Sequence, residues 1–427
     1  MPMVQTLTDP PSPAVTTPHR ALDWADGVMA VFVMVWVSEA FVRLGLDSFF
    51  TATVYAYFVP RFLFSAGWLV PQILRIWPML VYPALCTVSV AWSLVPQLSL
   101  VAAIQLWFTL CLGVFLGYRF RLSGLAALVM VGLGLTIVLS AINLGGTWPP
   151  AFGPDGGFQG IYTNKNALGQ RCALVILTAL LFLSAQQAGS ARVGWIVLVI
   201  AVAAVLVLSQ SVTAGLLSVI AVGLFAALRL RGASMLAALI AGGTLALIGV
   251  VFLWIYDVAL VEDGLAALGK TPTLTGRTML WQIALERARD YPLLGVGYMA
   301  PWSAPEFAQE IAVINSLYGG TVAAFHNVFL EALVMLGPLG VLAMALLIAT
   351  SAVALWRHPA GALRDWGLIL FGLLVASALL GSSLYRPHEL TLLMVVAFAA
   401  AAPGASGAAP PAAQSGGTTD RPARARR

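Results

Sequence analysis

The stretch His326-Asn-Val-Phe-Leu-Glu-Ala-Leu-Val-Met-Leu-Gly-Pro-Leu-Gly-Val-Leu-Ala-Met-Ala-Leu-Leu-Ile-Ala-Thr-Ser-Ala-Val-Ala-Leu-Trp356 decides the fold. It is apolar for longer than one bilayer crossing needs, about 20 residues. Its ionisable residues, His326 and Glu331, lie at the front. Gly337-Pro338 falls inside it, and Pro favours helix starts whereas Gly favours helix ends. Two readings follow: a short helix from His326 to Leu336 turning into a span that begins at Pro338, or one long, tilted, kinked helix. In both, His326 stands at the water-facing end. An ionisable residue at a lipid boundary is costly to keep without a task.

Outward from this stretch the pattern repeats. The 427 residues are 60% hydrophobic and 9% charged, with mean hydropathy +0.93. Soluble domains carry about a quarter charged residues. The apolar runs are continuous rather than alternating, so they read as helices and not barrel strands. The expected fold class is all-α: a polytopic membrane protein of about twelve transmembrane helices with one large outer loop. The expected spans are 24–46, 49–69, 75–93, 98–118, 122–144, 167–186, 193–209, 211–229, 234–256, 338–356, 365–384 and 389–403. Residues 1–23 and 404–427 read as disordered tails, and 257–337 as the large loop with short helices. The first apolar run follows a long polar tail, so it reads as a retained span and not a cleaved signal.

Arg20, Arg75, Arg119, Arg121, Arg192, Arg229, Arg231, Arg357, Arg364 and the terminal arginines fall on one side of this arrangement. The positive-inside rule makes that side cytoplasmic, with both termini inside. The net charge of +5 is then a topology signal, and no nucleic-acid partner is implied. Cys86, Cys111 and Cys172 lie in apolar runs without metal or disulfide spacing. No zinc, P-loop, redox or Asp-x-Asp motif is present, so neither a metal nor a cofactor is expected.

Some charges need a further reason. Arg171 lies about two turns inside the apolar run if the helix begins near Asn164, where Arg costs roughly 2.5–3.5 kcal/mol. Lys165 precedes it in Asn164-Lys165-Asn166, at a helix start that favours anions. The two are out of phase, so they flank one anion rather than stack. Arg277 is expected in the first turn of a loop helix capped by Thr275 and running from Gly276 to about Asp290. A cation there opposes the helix dipole, a conflict an anionic ligand removes. Trp281, Ile283 and Ala284 line one face of that helix. Glu286, Arg287 and Arg289 line another, and the alternating signs read Arg287 and Arg289 as solvated. Arg386 and His388 share a short outer turn. Glu331 either pairs with an arginine or acts on substrate. A neutral imidazole at His326 can take a hydroxyl proton near neutral pH.

These residues resemble a known family. His326-Asn327, nine residues and Gly337-x-x-Gly340 resemble the signature of O-antigen ligases and Wzy-type polymerases. So do Gly276-Arg277 with Trp281, Pro292, Gly295 and Gly297, and Ala91-Trp92-Ser93 with Pro96. Thr163-Asn-Lys-Asn-Ala-Leu-Gly169 resembles the corresponding motif of the exopolysaccharide polymerase branch, with Asn164 where His is common. The resemblance implies a metal-independent, inverting glycosyltransferase of the GT-C type in the bacterial inner membrane, its active site facing the periplasm. The donor it implies is a glycan on undecaprenyl pyrophosphate. The acceptor is a second glycan or lipid A core, and a chain-length regulator protein is a further partner it allows. Carried over, His326 activates the acceptor hydroxyl and Arg277 acts with it, while Arg277, Arg171 and Lys165 hold the pyrophosphate. Arg386 has no motif support and joins that set by position alone. Arg suits the task because its planar fork binds phosphate oxygens in pairs.

Three functions remain open on sequence. A polymerase of lipid-linked oligosaccharide units for exopolysaccharide or O-antigen is favoured by the Asn-Lys-Asn stretch. A ligase moving finished polymer to lipid A core shares every motif. A transporter or flippase of lipid-linked sugars is the alternative of another class, disfavoured because no internal repeat is visible.

Overall fold

The computed structural model describes residues 20–154, 156–186, 188–229, 273–318, 323–381 and 384–401. The ninth expected span, the start of the large loop, most of the expected N-terminal tail and all of the expected C-terminal tail lie outside the described residues. The described chain is all-α, apart from one isolated β-bridge between Phe152 and Phe158. In chain order the helices are α1 (Arg20–Val37), α2 (Asp47–Arg75), α3 (Trp77–Val88), α4 (Pro96–Leu128) and α5 (Gly134–Ile142). There follow α6 (Lys165–Ser184), α7 (Ser190–Ser209), α8 (Val212–Arg229), α9 (Thr273–Asp290) and α10 (Ala308–Tyr318). The last three are α11 (Val328–Trp356), α12 (Ala362–Leu379) and α13 (Leu390–Ala401).

The protein is a multi-pass membrane protein. Six helices among the described residues are long and apolar enough to cross a bilayer, or seven if α2 and α3, bent by 94°, form one span. One of the six is the 50-residue run Pro96–Gly145. Straight, it would reach about 75 Å, more than twice the hydrocarbon core. Its backbone breaks at Arg121 (φ 57°, ψ −178°), so its length fits two crossings. The expected twelve are not reached among the described residues. Helix α13 has 12 residues, and α1 carries Arg20, Asp23 and Asp26 and takes in residues expected in the tail.

Helix α13 is the hub, since all its residues from Leu390 to Ala401 are buried. Helix α4 packs directly on it through Gly113 and Gly117. A Cβ at Gly117 would stand 2.1 Å from the Ala397 carbonyl oxygen, and one at Gly113 2.8 Å from Val396 Cβ. Helices that meet in lipid rely on such small residues for backbone approach. Polar pins add to this: Ser351 Oγ donates to Val395 O at 2.7 Å, and Trp366 Nε1 donates to Thr178 Oγ1 at 3.1 Å.

The outer layer closes over the break in α11. Gly337 is left-handed and non-helical (φ 66°, ψ −163°), so α11 is two helical pieces joined there. The break frees the carbonyls just before it. Val296 N donates to Val334 O at 3.0 Å and Gly297 N to Met335 O at 2.9 Å. Backbone groups at membrane depth need such partners. The same segment is stitched to the α3–α4 turn, with Trp92 Nε1 donating to Leu294 O at 2.9 Å and Leu94 N to Val296 O at 3.0 Å. A Cβ at Gly295 would meet Met335 C at 2.5 Å, and one at Gly297 Ser93 Cβ at 2.4 Å. The signature glycines and Trp92-Ser93 are therefore parts of one seam.

Two expectations for the loop helix change. Helix α9 begins at Thr273, so Thr275 lies inside it and Arg277 one turn in. Arg287 is also not solvated. It lies on the buried stripe of Leu280, Ile283 and Ala284 and is 3% exposed. Spacings of three, four and seven from Leu280 put it on that face. Its guanidinium bonds Glu310, donates to Pro301 O at 2.7 Å and sits 4.0 Å from the Phe307 ring centre. Charge alternation in sequence misled because the long side chain reaches an acid on the next helix. Arg289, by contrast, is exposed.

Candidate functional site

A chamber of about 490 Å³ opens where the N-terminal ends of α6, α8, α11 and α13 meet the C-terminal ends of α1 and α12. Small-molecule sites typically span about 300–1,000 Å³. Arg171, His326 and Arg386 all line it, with Asn164, Asn166, Gln170, Glu39 and Glu389. By chain order Arg229, Arg357 and Arg364 belong to the opposite ends of these helices, and Arg192 opens α7 just after the far end of α6.

Asn164 caps α6, its side chain accepting from Ala167 N at 2.9 Å. Asn166 accepts from Ser211 Oγ at 2.8 Å, tying α6 to the start of α8. The first turn of α6 thus points its backbone donors and positive dipole end toward the chamber. Arg171 is 4% exposed. It donates to Gln170 Oε1 at 2.5 Å and stands 3.9 Å from Glu39 Oε2. Its Nε is buried with no hydrogen-bond partner among the described residues. A buried guanidinium N–H without an acceptor is an unsatisfied donor beside the chamber.

Arg386 reaches the chamber from the turn between α12 and α13. Its Nε donates to Tyr385 Oη at 2.9 Å, and a second nitrogen bonds Ala323 O. Burial opposes its charge, but neighbouring Tyr385, Glu389 and Glu331 outweigh burial and raise its pKa. Burial and the facing Glu39 push the Glu389 carboxyl well above the usual carboxylate range, against the pull of Arg171 and Arg386.

His326 holds a left-handed backbone (φ 54°), which costs a non-glycine residue about 1–2 kcal/mol. Its neighbours hold the turn. Asn327 caps α11 by accepting from Phe329 N and Leu330 N at 3.0 and 3.2 Å. Phe325 is gripped at both backbone groups: its N–H donates to Glu331 Oε1 at 2.5 Å, and its carbonyl accepts from Trp281 Nε1 at 2.9 Å. Trp302 Nε1 donates to the other Glu331 oxygen at 3.5 Å. Of the two expectations for Glu331, neither describes these bonds: it holds the turn before the histidine.

The structure does not unite every expected residue. Lys165 is the first residue of α6 but is not in the chamber lining. Arg277 lies one turn before Trp281 in α9, and its side chain is outside what is described. His388 turns away from the chamber, 2.9 Å from Tyr55 Oη and 4.6 Å from the Trp36 ring. Burial lowers its pKa to about 4. Glu39 and Glu389 were not singled out from sequence, although each is an acid at the end of an apolar run. Arg43 was also missed. It donates to Pro150 O at 2.9 Å and Tyr162 O at 3.2 Å, holding the loop before α6.

Residues 195–345 match the family model described as O-antigen ligase. The exopolysaccharide production protein ExoQ of Rhizobium meliloti (strain 1021) is 30% identical over 299 residues. That match covers 67% of this chain and 66% of the relative, just under two thirds of its length. The family match takes in His326-Asn327 and the first part of α11, past the break at Gly337.

Proposed function

The chain belongs to the O-antigen ligase family, a family of ligase- and polymerase-type enzymes, and from that premise we propose that it transfers a glycan from undecaprenyl pyrophosphate to a sugar hydroxyl. The observation that carries this reading is the single chamber lined by Arg171, Arg386 and His326. The oxygen of the acceptor hydroxyl attacks the anomeric carbon, and the bond from that carbon to the pyrophosphate breaks on the opposite face. The configuration inverts. His326 takes the hydroxyl proton, and undecaprenyl pyrophosphate leaves with the bonding electrons. Arg171 and Arg386 meet the charge that builds on the leaving group, with Arg277 from α9 and Lys165 as further cations of the outer layer. Positive charge placed where negative charge develops is a large catalytic contribution. The arginines supply it, so the reaction as proposed is metal-independent.

The basic helix ends opposite the chamber favour a chamber on the periplasmic side of the inner membrane. Polymerisation into exopolysaccharide or O-antigen is the first reading, in line with the exopolysaccharide production relative. Ligation to lipid A core is the second, in line with the description of the family match. Substitution of His326 by Ala tests the chemistry. The variant is expected to bind undecaprenyl pyrophosphate and lose turnover, and unchanged product formation would refute the reading. Deletion separates the two reactions: short surface polysaccharide marks a polymerase, and free lipid-linked polymer beside bare lipid A core marks a ligase.

A further inference from the structure

Two carboxyl groups in the chamber have no place in an anion clamp. Glu389 is 8% exposed and lines the chamber, yet its side chain has no hydrogen bond and no ion pair within 4 Å among the described residues. Glu39 lines the chamber from the end of α1 and is held at φ 62°. It is close enough to Glu389 for their charges to interact. A pyrophosphate is repelled by both acids and is served by Arg171, whose Nε is also unfilled. A carboxyl that borders a chamber without a hydrogen-bond partner of its own can accept from donors that a ligand brings. A sugar offers these as neutral hydroxyls, and a carboxylate can accept from two at once.

We propose that Glu389 and Glu39 form the acceptor subsite of the chamber, taking the hydroxyl groups of the incoming sugar beside the arginines that take the donor's pyrophosphate. This rests on the glycosyl-transfer reading above. The division follows charge: an anionic leaving group goes to the cations, and a neutral polyol goes to the acids. His326 lines the same chamber, so a hydroxyl held there can pass its proton to the imidazole. A counter-ion role for Glu389 predicts a close contact with Arg171 or Arg386, and the close contact of Arg171 is instead with Glu39 at 3.9 Å.

The test uses the full chain in nanodiscs. The lipid-linked oligosaccharide that accumulates in cells lacking the protein is the donor. The soluble oligosaccharide released from it by mild acid is the acceptor, varied at fixed donor. Glu389→Gln is expected to raise the KM for the soluble oligosaccharide about tenfold, the cost of leaving one hydrogen-bonding group of the bound sugar without its partner. Affinity for undecaprenyl pyrophosphate should stay equal or tighten. An unchanged KM would leave Glu389 a mere counter-ion and overturn the proposal. So would a collapse of kcat at constant KM, which marks a proton acceptor. Glu39→Gln, at a more exposed site, should raise the same KM and decides the matter if Glu389→Gln does not fold. Wild-type protein that fails to bind undecaprenyl pyrophosphate refutes the transfer reading itself and the subsite with it.

Discussion

Glu331→Ala removes the brace of the His326 turn, and Glu331 itself does not line the chamber. Glu331 is fully buried, and its carboxylate accepts from Phe325 N at 2.5 Å. A hydrogen bond to a charged group is worth about 1.5–3 kcal/mol net, and a neutral one such as Trp281 to Phe325 O about 1 kcal/mol. Together they exceed the roughly 1–2 kcal/mol that a left-handed non-glycine residue costs. Without Glu331, about 1 kcal/mol remains against that cost, and the turn is held for only part of the time. The population of the working conformation, and kcat with it, should fall roughly two- to sixfold. Affinity for undecaprenyl pyrophosphate should change less than kcat, since Arg171 is untouched and Arg386 loses only one of the neighbours that support its charge. Glu331→Gln keeps one acceptor oxygen and should lose less. The assay is turnover of the lipid-linked oligosaccharide in nanodiscs, run also in a His326→Ala background. If Glu331 acts through His326, the slow residual rate of His326→Ala does not fall further when Glu331 is also replaced. An equal fall in both backgrounds, or wild-type turnover in Glu331→Ala, refutes the reasoning.

Three other outcomes are expected. Gly117→Ala places a methyl group 2.1 Å from Ala397 O, so α4 and α13 must part at a cost of about 1–3 kcal/mol. The detergent-solubilised protein should melt lower, whereas Gly27→Ala, with nothing within 4 Å, should melt as wild type. Arg287→Met breaks the buried bonds to Pro301 O and Glu310 and should make the segment holding α9 and α10 sensitive to limited proteolysis. Arg289→Ala, on the exposed face, should change stability by no more than about 0.5 kcal/mol. His388 is neutral in the fold, its pKa lowered from 6.5 to about 4. Between those values the unfolded chain takes up a proton that the folded chain refuses. Stability present above pH 6.5 is therefore lost as pH falls toward 4, by about 3 kcal/mol at most. His388→Asn, which tolerates the left-handed backbone, should flatten this acid slope in thermal scans; an unchanged slope would clear His388 of the effect.

The fold class was legible because lipid imposes one rule: apolar runs of helix length. The break at Gly337 was legible for the same reason, as Gly-Pro has no other economical place in a span. Arg171 stood out because a cation in an apolar run is costly. Arg287 was misread because its partner, Glu310, lies on another helix, and pattern within one helix cannot show that. Glu331 was left undecided because its acceptors' partners are backbone and indole N–H groups, which carry no sequence signature.

The chamber itself was the least legible part, and the reason bears on how it works. Its charged residues come from separate helix ends, so no local window contains two of them except Arg386 and Glu389. Each charge alone reads as a costly exception. Assembled, they offset one another: Arg171 and Arg386 face Glu39 and Glu389 in one cavity. A resting chamber of near-balanced charge can be buried at modest cost, yet it keeps an unfilled donor at Arg171 and unfilled acceptors at Glu389. Donor and acceptor can then each find a complementary wall. The charge that strains the empty chamber is the charge that sorts its two substrates.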